Sequence, residues 1–240
     1  MRIEASPFDS HHYGLPIGRL VRDDSDGPAE LSAAIETAQR ERFAVVFLRL
    51  AEGDPLCGML ARDGHAPVDV LVTSTLGRDR GAIRCNDAVA IEHHDRIADP
   101  ADISAIAEIT AESIRRSHLH ADPRLPSART RELYAAWARN DVTGRAQRTI
   151  AARIDGELIG YLAVLATPAT AMIDLVTVRS DWHGRGVGSR LIASFIEWIG
   201  DREIVATVGT QVDNPALRLY ASCGFVPTAT HCTYHLWLDA

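Results

Sequence analysis

The stretch His183-Gly184-Arg185-Gly186-Val187-Gly188-Ser189 sets three alternating glycines where an apolar segment with helical spacing begins. Glycine weakens a helix by about 1 kcal/mol relative to alanine, so three of them at a helix start require a reason. A helix N-terminus carries unpaired N–H groups and a partial positive charge, and glycines there let the backbone approach an anion closely. The chemistry on offer is phosphate binding; the alternative is a tight loop whose glycines serve only to turn. The spacing departs from the G-x-G-x-x-G of dinucleotide folds, because Ser189 stands where the third glycine belongs and about fifty residues remain for a sheet. It also fails the P-loop pattern, which needs a lysine. All 25 basic residues are arginine, so Schiff-base and kinase-type lysine chemistry are excluded with it.

Other reactive side chains are weaker candidates. Cys223 lies one helical turn from Tyr220, but no histidine neighbours it in sequence to activate a thiolate, and inert packing is the favoured reading. His93-His94-Asp95 alternates faces if it is a strand, which makes a poor chelate, and no metal is expected. Cys57, Cys85, Cys223 and Cys232 form no C-x-x-C pair, so they read as free thiols. A formal charge of −7 argues against a nucleic-acid partner. The start, MRIEASPFDSHH, lacks a secretory pattern, and no apolar run reaches the ~18 residues of a membrane helix. The expectation is a cytoplasmic protein with no membrane partner.

The elements that must position these residues follow from periodicity. Residues 16–23, 43–50 and 68–76 read as strands, with helices at 28–43 and from Asp54 to His65 between them, a βαβαβ order. The polar, Gly-containing GRDRG (77–81) marks a boundary. Beyond it come a strand in DAVAIEHHD, a helix with Ile103, Ile106, Ile109 and Ile114 near one face, and a second helix at 127–141 that Ser127 can cap. A hairpin turns at Asp155-Gly156, a third strand covers 170–178, and Val187, Leu191, Ile192, Phe195, Trp198 and Ile199 form an apolar helical stripe. A strand at 203–208 precedes a short helix with Asn214 at the N-cap, Pro215 first and Gly224 at the stop, and THCTYHLWL closes as a strand. The fold class is α+β: a smaller α/β N-terminal domain over 1–84 and a larger domain over 85–240.

In that order and spacing, VRSDWHGRGVGSRLI followed by NPALRLYASCGF resembles the GNAT superfamily of acetyl-CoA-dependent N-acetyltransferases. The resemblance covers roughly residues 86–240 and implies a mixed, mainly antiparallel twisted sheet flanked by helices. It departs twice: the family's Gln/Arg position falls on His183, and Asn214 stands six residues before Tyr220 where the family has seven, Asp213 holding the seventh place. A narrower resemblance spans nearly the whole chain. EASPFDSHHYGLPIGRL, SHLHADPR and LYAAWARN are similar to segments of TDP-fucosamine acetyltransferases and their relatives, which acetylate nucleotide-linked amino-deoxysugars behind a reduced N-terminal domain.

The resemblance implies the following roles. Gly184, Arg185, Gly186, Val187, Gly188 and Ser189, with His183, cradle the coenzyme pyrophosphate. Val176, Thr177 and Val178 offer backbone groups to pantetheine along a splayed strand, and Asn214 touches the same arm. Tyr220 protonates the leaving thiolate, since a phenol with pKa near 10 is protonated at neutral pH. Asp174 is a candidate base, on the strand face of Val176 and Val178. His118 and His120 stand where acceptor-binding residues occur, and Arg179, Arg185, Arg190 and Arg218 are candidates for coenzyme phosphates or for solvated surface charge. Acetyl-CoA is then the co-substrate and a small-molecule amine the acceptor, with direct transfer in a ternary complex and a homodimer left open. The alternatives are a protein N-terminus, an amino acid or an antibiotic amine as acceptor, or an acyl-CoA-binding domain without turnover.

Overall fold

The computed structural model describes residues 1–78 and 83–238 and divides into two compact units. The first comprises Met1–Val72, Arg116–Thr130 and Ala229–Ala240; the second comprises Thr73–Arg115 and Arg131–Thr228. The elements in chain order are β1 (Arg2–Ala5), α1 (Pro7–Tyr13), β2 (Ile17–Val21), α2 (Pro28–Arg40), β3 (Val45–Ala51), α3 (Pro55–Arg62), β4 (Asp69–Leu76), β5 (Ala90–His94), α4 (Pro100–Ser113), α5 (His118–Ala121), α6 (Ser127–Asn140), β6 (Arg148–Ile154), β7 (Glu157–Ala166), β8 (Thr170–Val178), α7 (Val187–Ile199), β9 (Val205–Gln211), α8 (Ala216–Ser222) and β10 (Phe225–Trp237). The expected order is present, preceded by β1 and α1, which periodicity did not pick out. Of GRDRG, residues 79–81 lie outside the described residues.

In the first unit, β2 and β3 pair in parallel, with α2 as the crossover and Leu31, Ala34 and Ala38 buried beneath it. Proline opens α1, α2 and α3, where its missing N–H costs nothing. Asp54 caps α3 by accepting from the Leu56 amide at 2.9 Å. Val46, Leu48, Leu50, Leu56, Leu60, Tyr234 and Leu236 fill the core.

The expected βαβαβ unit is interrupted. The strand order is β1-β2-β3-β10-β4, so β10 lies between β3 and β4 and runs antiparallel to β3, from His231 opposite Ala51 to Trp237 opposite Val45. Val45 to Leu48 are all buried, which suits an interior strand covered on both faces rather than an edge. The chain's last strand supplies the missing neighbour. The first unit therefore draws on residues far beyond 84, and the compact units do not divide at the 84/85 boundary.

In the second unit the order β9-β8-β7-β6-β5 is antiparallel except for β8 with β9. The β6–β7 turn has Asp155 at φ 50° and Gly156 at φ 81°, the left-handed pair that a two-residue hairpin demands. Leu191, Ile192, Phe195 and Ile199 of α7 pack with Ile150, Ile159, Leu162, Ile173 and Val208 of the sheet. The stripe on α7 thus fixes the glycine segment at its N-terminus against the strand that leads into it.

Candidate active site

The residues expected to meet a coenzyme begin on β8. Its parallel pairing with β9 runs only from Thr170–Val205 to Ile173–Val208. At that point the β7 register skips Asp174, passing from Leu175–Ala163 to Ile173–Val164, a bulge that bends the strand. Beyond Ile173, β8 keeps only β7. The Arg179 amide donates to the Ile159 carbonyl at 2.8 Å, which sets the alternation: Thr177 exchanges bonds with Tyr161, while the main-chain groups of Val176 and Val178 face the parted side. Of the three residues expected to offer backbone groups, Val176 has both free for a ligand. Thr177 is spent in the ladder with its side chain buried, and the Val178 carbonyl already accepts from His183 Nε2 at 2.7 Å and from Ser113 Oγ at 3.0 Å.

The glycines divide the work between them. After a 3-10 turn over Ser180–Trp182, Gly184 (φ 73°) and Gly186 (φ 77°) are both left-handed. Among the described residues, chain neighbours aside, no atom lies within 4 Å of where a Gly184 Cβ would sit, whereas a Cβ on Gly186 would come within 3.1 Å of the Asn86 backbone nitrogen. Asn86 also donates from Nδ2 to the Arg185 carbonyl at 3.0 Å and so holds the turn down. A Cβ on Gly188 would meet Leu219 of α8 at 3.0 Å. Turning and close packing therefore explain Gly186 and Gly188, and the Gly184 side is the open one. Among the described residues no side chain caps α7, so its first-turn amides and partial positive charge remain available to an anion. His183 supports the turn from beneath through Val178. Of the arginines, Arg179 is paired with Asp181 and Glu157, Arg190 with Glu197, and Arg185 lies over the Trp182 ring at 5.0 Å.

On α8, Asn214 Oδ1 accepts from the Ala216 amide at 3.0 Å, the capping role, which leaves its amide nitrogen as the group able to reach a ligand. Tyr220 is buried on the Phe225 side, with ring centroids 6.2 Å apart. Burial, with Cys223 adding to it, raises its pKa, so the phenol holds its proton at every physiological pH. Cys223 is buried and its thiol is likewise pushed up by burial, the opposite of an activated nucleophile.

Asp174 is engaged rather than free. Its Oδ2 accepts from Trp137 Nε1 at 2.8 Å and from Arg145 Nη1 at 2.5 Å. Arg145 also grips Asp141, the two residues bounding a π turn that follows α6. Asp141 is fully buried, and burial followed by the charge of Asp174 raises its carboxyl well above the usual range. Two carboxylates share one guanidinium, an arrangement that ties the π turn to the bulge in β8. His93 and His94 turn to separate partners, Ser194 and Glu92.

His118 and His120 belong to the first unit, on α5. Ser117 caps that short helix through the His120 amide and meets His120 Nδ1 at 2.8 Å. His118 Nδ1 lies 2.8 Å from His235 Nε2, and His235 Nδ1 lies 2.8 Å from Asp122 Oδ2. Asp122 and His235 are 113 positions apart and no spacing signal links them; nor does any link Arg145 to Asp174 or Asn86 to Arg185, whereas Asp141 and Arg145 stand at the i,i+4 spacing of a helical ion pair.

A mixed sheet flanked by helices, with a parallel strand pair that parts beside the start of a long helix, is the GNAT architecture. Residues 108–225 match the model of the acetyltransferase (GNAT) family. Over 141 residues it is 34% identical to the spore coat polysaccharide biosynthesis protein SpsD of Bacillus subtilis (strain 168), covering 58% of this chain and 49% of that protein. The chain thus spans about half the length of this curated relative. Among solved structures, it resembles a GCN5-related N-acetyltransferase from Sphaerobacter thermophilus (TM-score 0.65, 15% identity, 99% of this chain and 76% of that one). It also resembles a tandem GNAT protein from the clavulanic acid biosynthesis pathway (TM-score 0.62, 17% identity, 95% and 77%). At these identities the likeness is one of fold, and it extends over residues of both units.

Proposed function

We propose that the protein is an acetyl-CoA-dependent N-acetyltransferase that moves an acetyl group directly to the amine of an amino-deoxysugar carried on a nucleotide. The observation that carries the coenzyme half is the parting of β8 from β9 beside the uncapped start of α7. Pantetheine then pairs with the free Val176 groups as an added strand, and the pyrophosphate rests on the α7 amides and the open side of Gly184. The Val176 and Val178 amides are the donors that can face an oxyanion, where such a donor is typically worth about 3–4 kcal/mol. Tyr220 supplies the thiolate's proton, and the Asn214 amide contacts the pantetheine arm. Acetyl-CoA is the co-substrate, and these steps call for no metal.

The acceptor half is supported by the relative, a protein named for spore coat polysaccharide biosynthesis. His118 and His120 are the proposed acceptor contacts. Asp174 is a weaker candidate for the base, because Trp137 and Arg145 already hold its Oδ2. The deciding experiment is calorimetric titration with acetyl-CoA followed by an acceptor screen. The screen uses nucleotide-linked 3-amino and 4-amino deoxysugars, an amino acid, a peptide N-terminus and an aminoglycoside. Thiol release with a sugar nucleotide alone is the expected result; release with another acceptor overturns the sugar assignment. Tight acetyl-CoA binding with no turnover on any of them points to a binding domain instead.

A further inference from the structure

We propose that Cys57 and Cys232 form a redox modification site, a thiol pair that closes to a disulfide on meeting a small-molecule disulfide and so staples α3 to the chain's last strand. The proposal lies wholly within the first unit and is independent of the acyl-transfer reading.

The backbone brings the two thiols together from opposite ends of the sequence. Successive side chains of a strand point to opposite faces. On β10, Cys232, Tyr234 and Leu236 therefore share one face, and all three pack with the core that holds Leu50, Leu56 and Leu60. His235 and Trp237 take the other face and meet Asp122. Cys232 stands opposite Leu50 of β3, and His231 opposite Ala51. The chain leaves β3 at Ala51 and enters α3 at once, with Asp54 as its cap and Leu56 buried in the same core. Cys57, the next residue, donates from Sγ to the Ala51 carbonyl at 3.8 Å. The Cys232 thiol and the Tyr234 hydroxyl both lie within hydrogen-bonding reach of that sulfur. Cys57 and Cys232 are free thiols and only half-buried, so a small reagent can reach them. Cys85 and Cys223 belong to the second unit.

The surroundings favour the cross-link over the separate thiolates. Burial, then the neighbouring Cys57, then the carboxylates of Glu52 and Asp69 push the Cys232 thiol up. A disulfide carries no charge, so the features that oppose ionisation of Cys232 do not oppose the product. The exchange proceeds in two displacements. The Cys57 thiolate attacks one sulfur of the reagent, forming a mixed disulfide and expelling one thiolate of the reagent. Cys232, on losing its proton, attacks the Cys57 sulfur, forms the Cys57–Cys232 bond and expels the second. The two protein thiols lose two electrons and two protons, and the reagent leaves as two thiols. The new bond closes a loop that contains most of the chain, which restricts the unfolded ensemble and holds β10 beside β3.

The test uses the full-length protein and oxidised glutathione, with peptide mapping and thermal unfolding as readouts. The treated protein is expected to lose two hydrogens in mass and to yield one peptide pair joined through Cys57 and Cys232, both changes reversed by dithiothreitol. Its unfolding midpoint is expected to rise by about 5–10 °C. Cys57→Ser and Cys232→Ser are each expected to show no such rise on treatment. Two separate glutathione adducts, or no reaction at either cysteine, overturn the proposal. So does a joined pair that leaves the midpoint unchanged or lowers it, or an equal rise in Cys57→Ser. None of these outcomes bears on acetyl-CoA binding, which calorimetry on the reduced protein tests separately.

Discussion

At the scale of single residues, protonation states decide what the site can do. Tyr220 keeps its proton because burial raises its pKa, which suits the proposed role of giving that proton to a strong base such as a thiolate. Tyr220→Phe is expected to lower kcat by about 100-fold or more with acetyl-CoA affinity within about twofold, read by thiol release and calorimetry. Asp122 makes a separate prediction about stability. Its folded pKa of about 2 lies below its unfolded value, so the carboxylate contributes stability that is present above the ordinary carboxylate range and is lost as pH falls through about 4 toward 2. Denaturant unfolding of native protein across that window is expected to show a loss on the order of 2 kcal/mol from this group, and Asp122→Asn should lack that slope. A slope identical in the two proteins would assign the acid sensitivity elsewhere.

At the scale of elements, the turn between β8 and α7 separates the proposed coenzyme contact from packing. Gly184 and Gly186 share a left-handed backbone, so alanine at either costs about 1–2 kcal/mol of strain. Only at Gly186 would the new Cβ also press on the Asn86 backbone. Gly186→Ala is therefore expected to lower the melting temperature more than Gly184→Ala, while both weaken acetyl-CoA binding; thermal unfolding and calorimetry separate the two effects. The bulge at Asp174 belongs to the same device. It falls where β8 leaves β9, and the Trp137 and Arg145 bonds hold it there, so the parting of the strands is built into the side chains as well as the backbone.

At the scale of the whole molecule, the last strand belongs to the beginning. β10 pairs along β3 from Ala51 to Val45, and Tyr234 and Leu236 sit in the core with Leu48 and Leu56. A chain ending at Thr228 is expected to lose cooperative folding of the first unit, visible as a lost or broadened transition in circular dichroism. Retention of the native transition would show that β1 to β4 suffice alone. Among the described residues no helix is long and apolar enough to cross a membrane.

Local signals were enough for much of this. The stripe on α7, the Asp155-Gly156 turn, the proline-led helices and the glycines before α7 each depend on neighbours a few residues apart, and hydrophobic period and backbone sterics act over that range. They carried the order of the elements and the turn ahead of α7, while the coenzyme roles proposed for Tyr220 and Val176 came from the family resemblance. What needed the tertiary structure was every pairing across long separations: β10 entering between β3 and β4, Asp174 held by Trp137 and Arg145, and Asp122 meeting His235. Such contacts form because buried strands and buried charges each require a partner, and a chain can bring that partner from anywhere along its length. The amino-acid order names the groups in need; only the folded chain decides which of them meet.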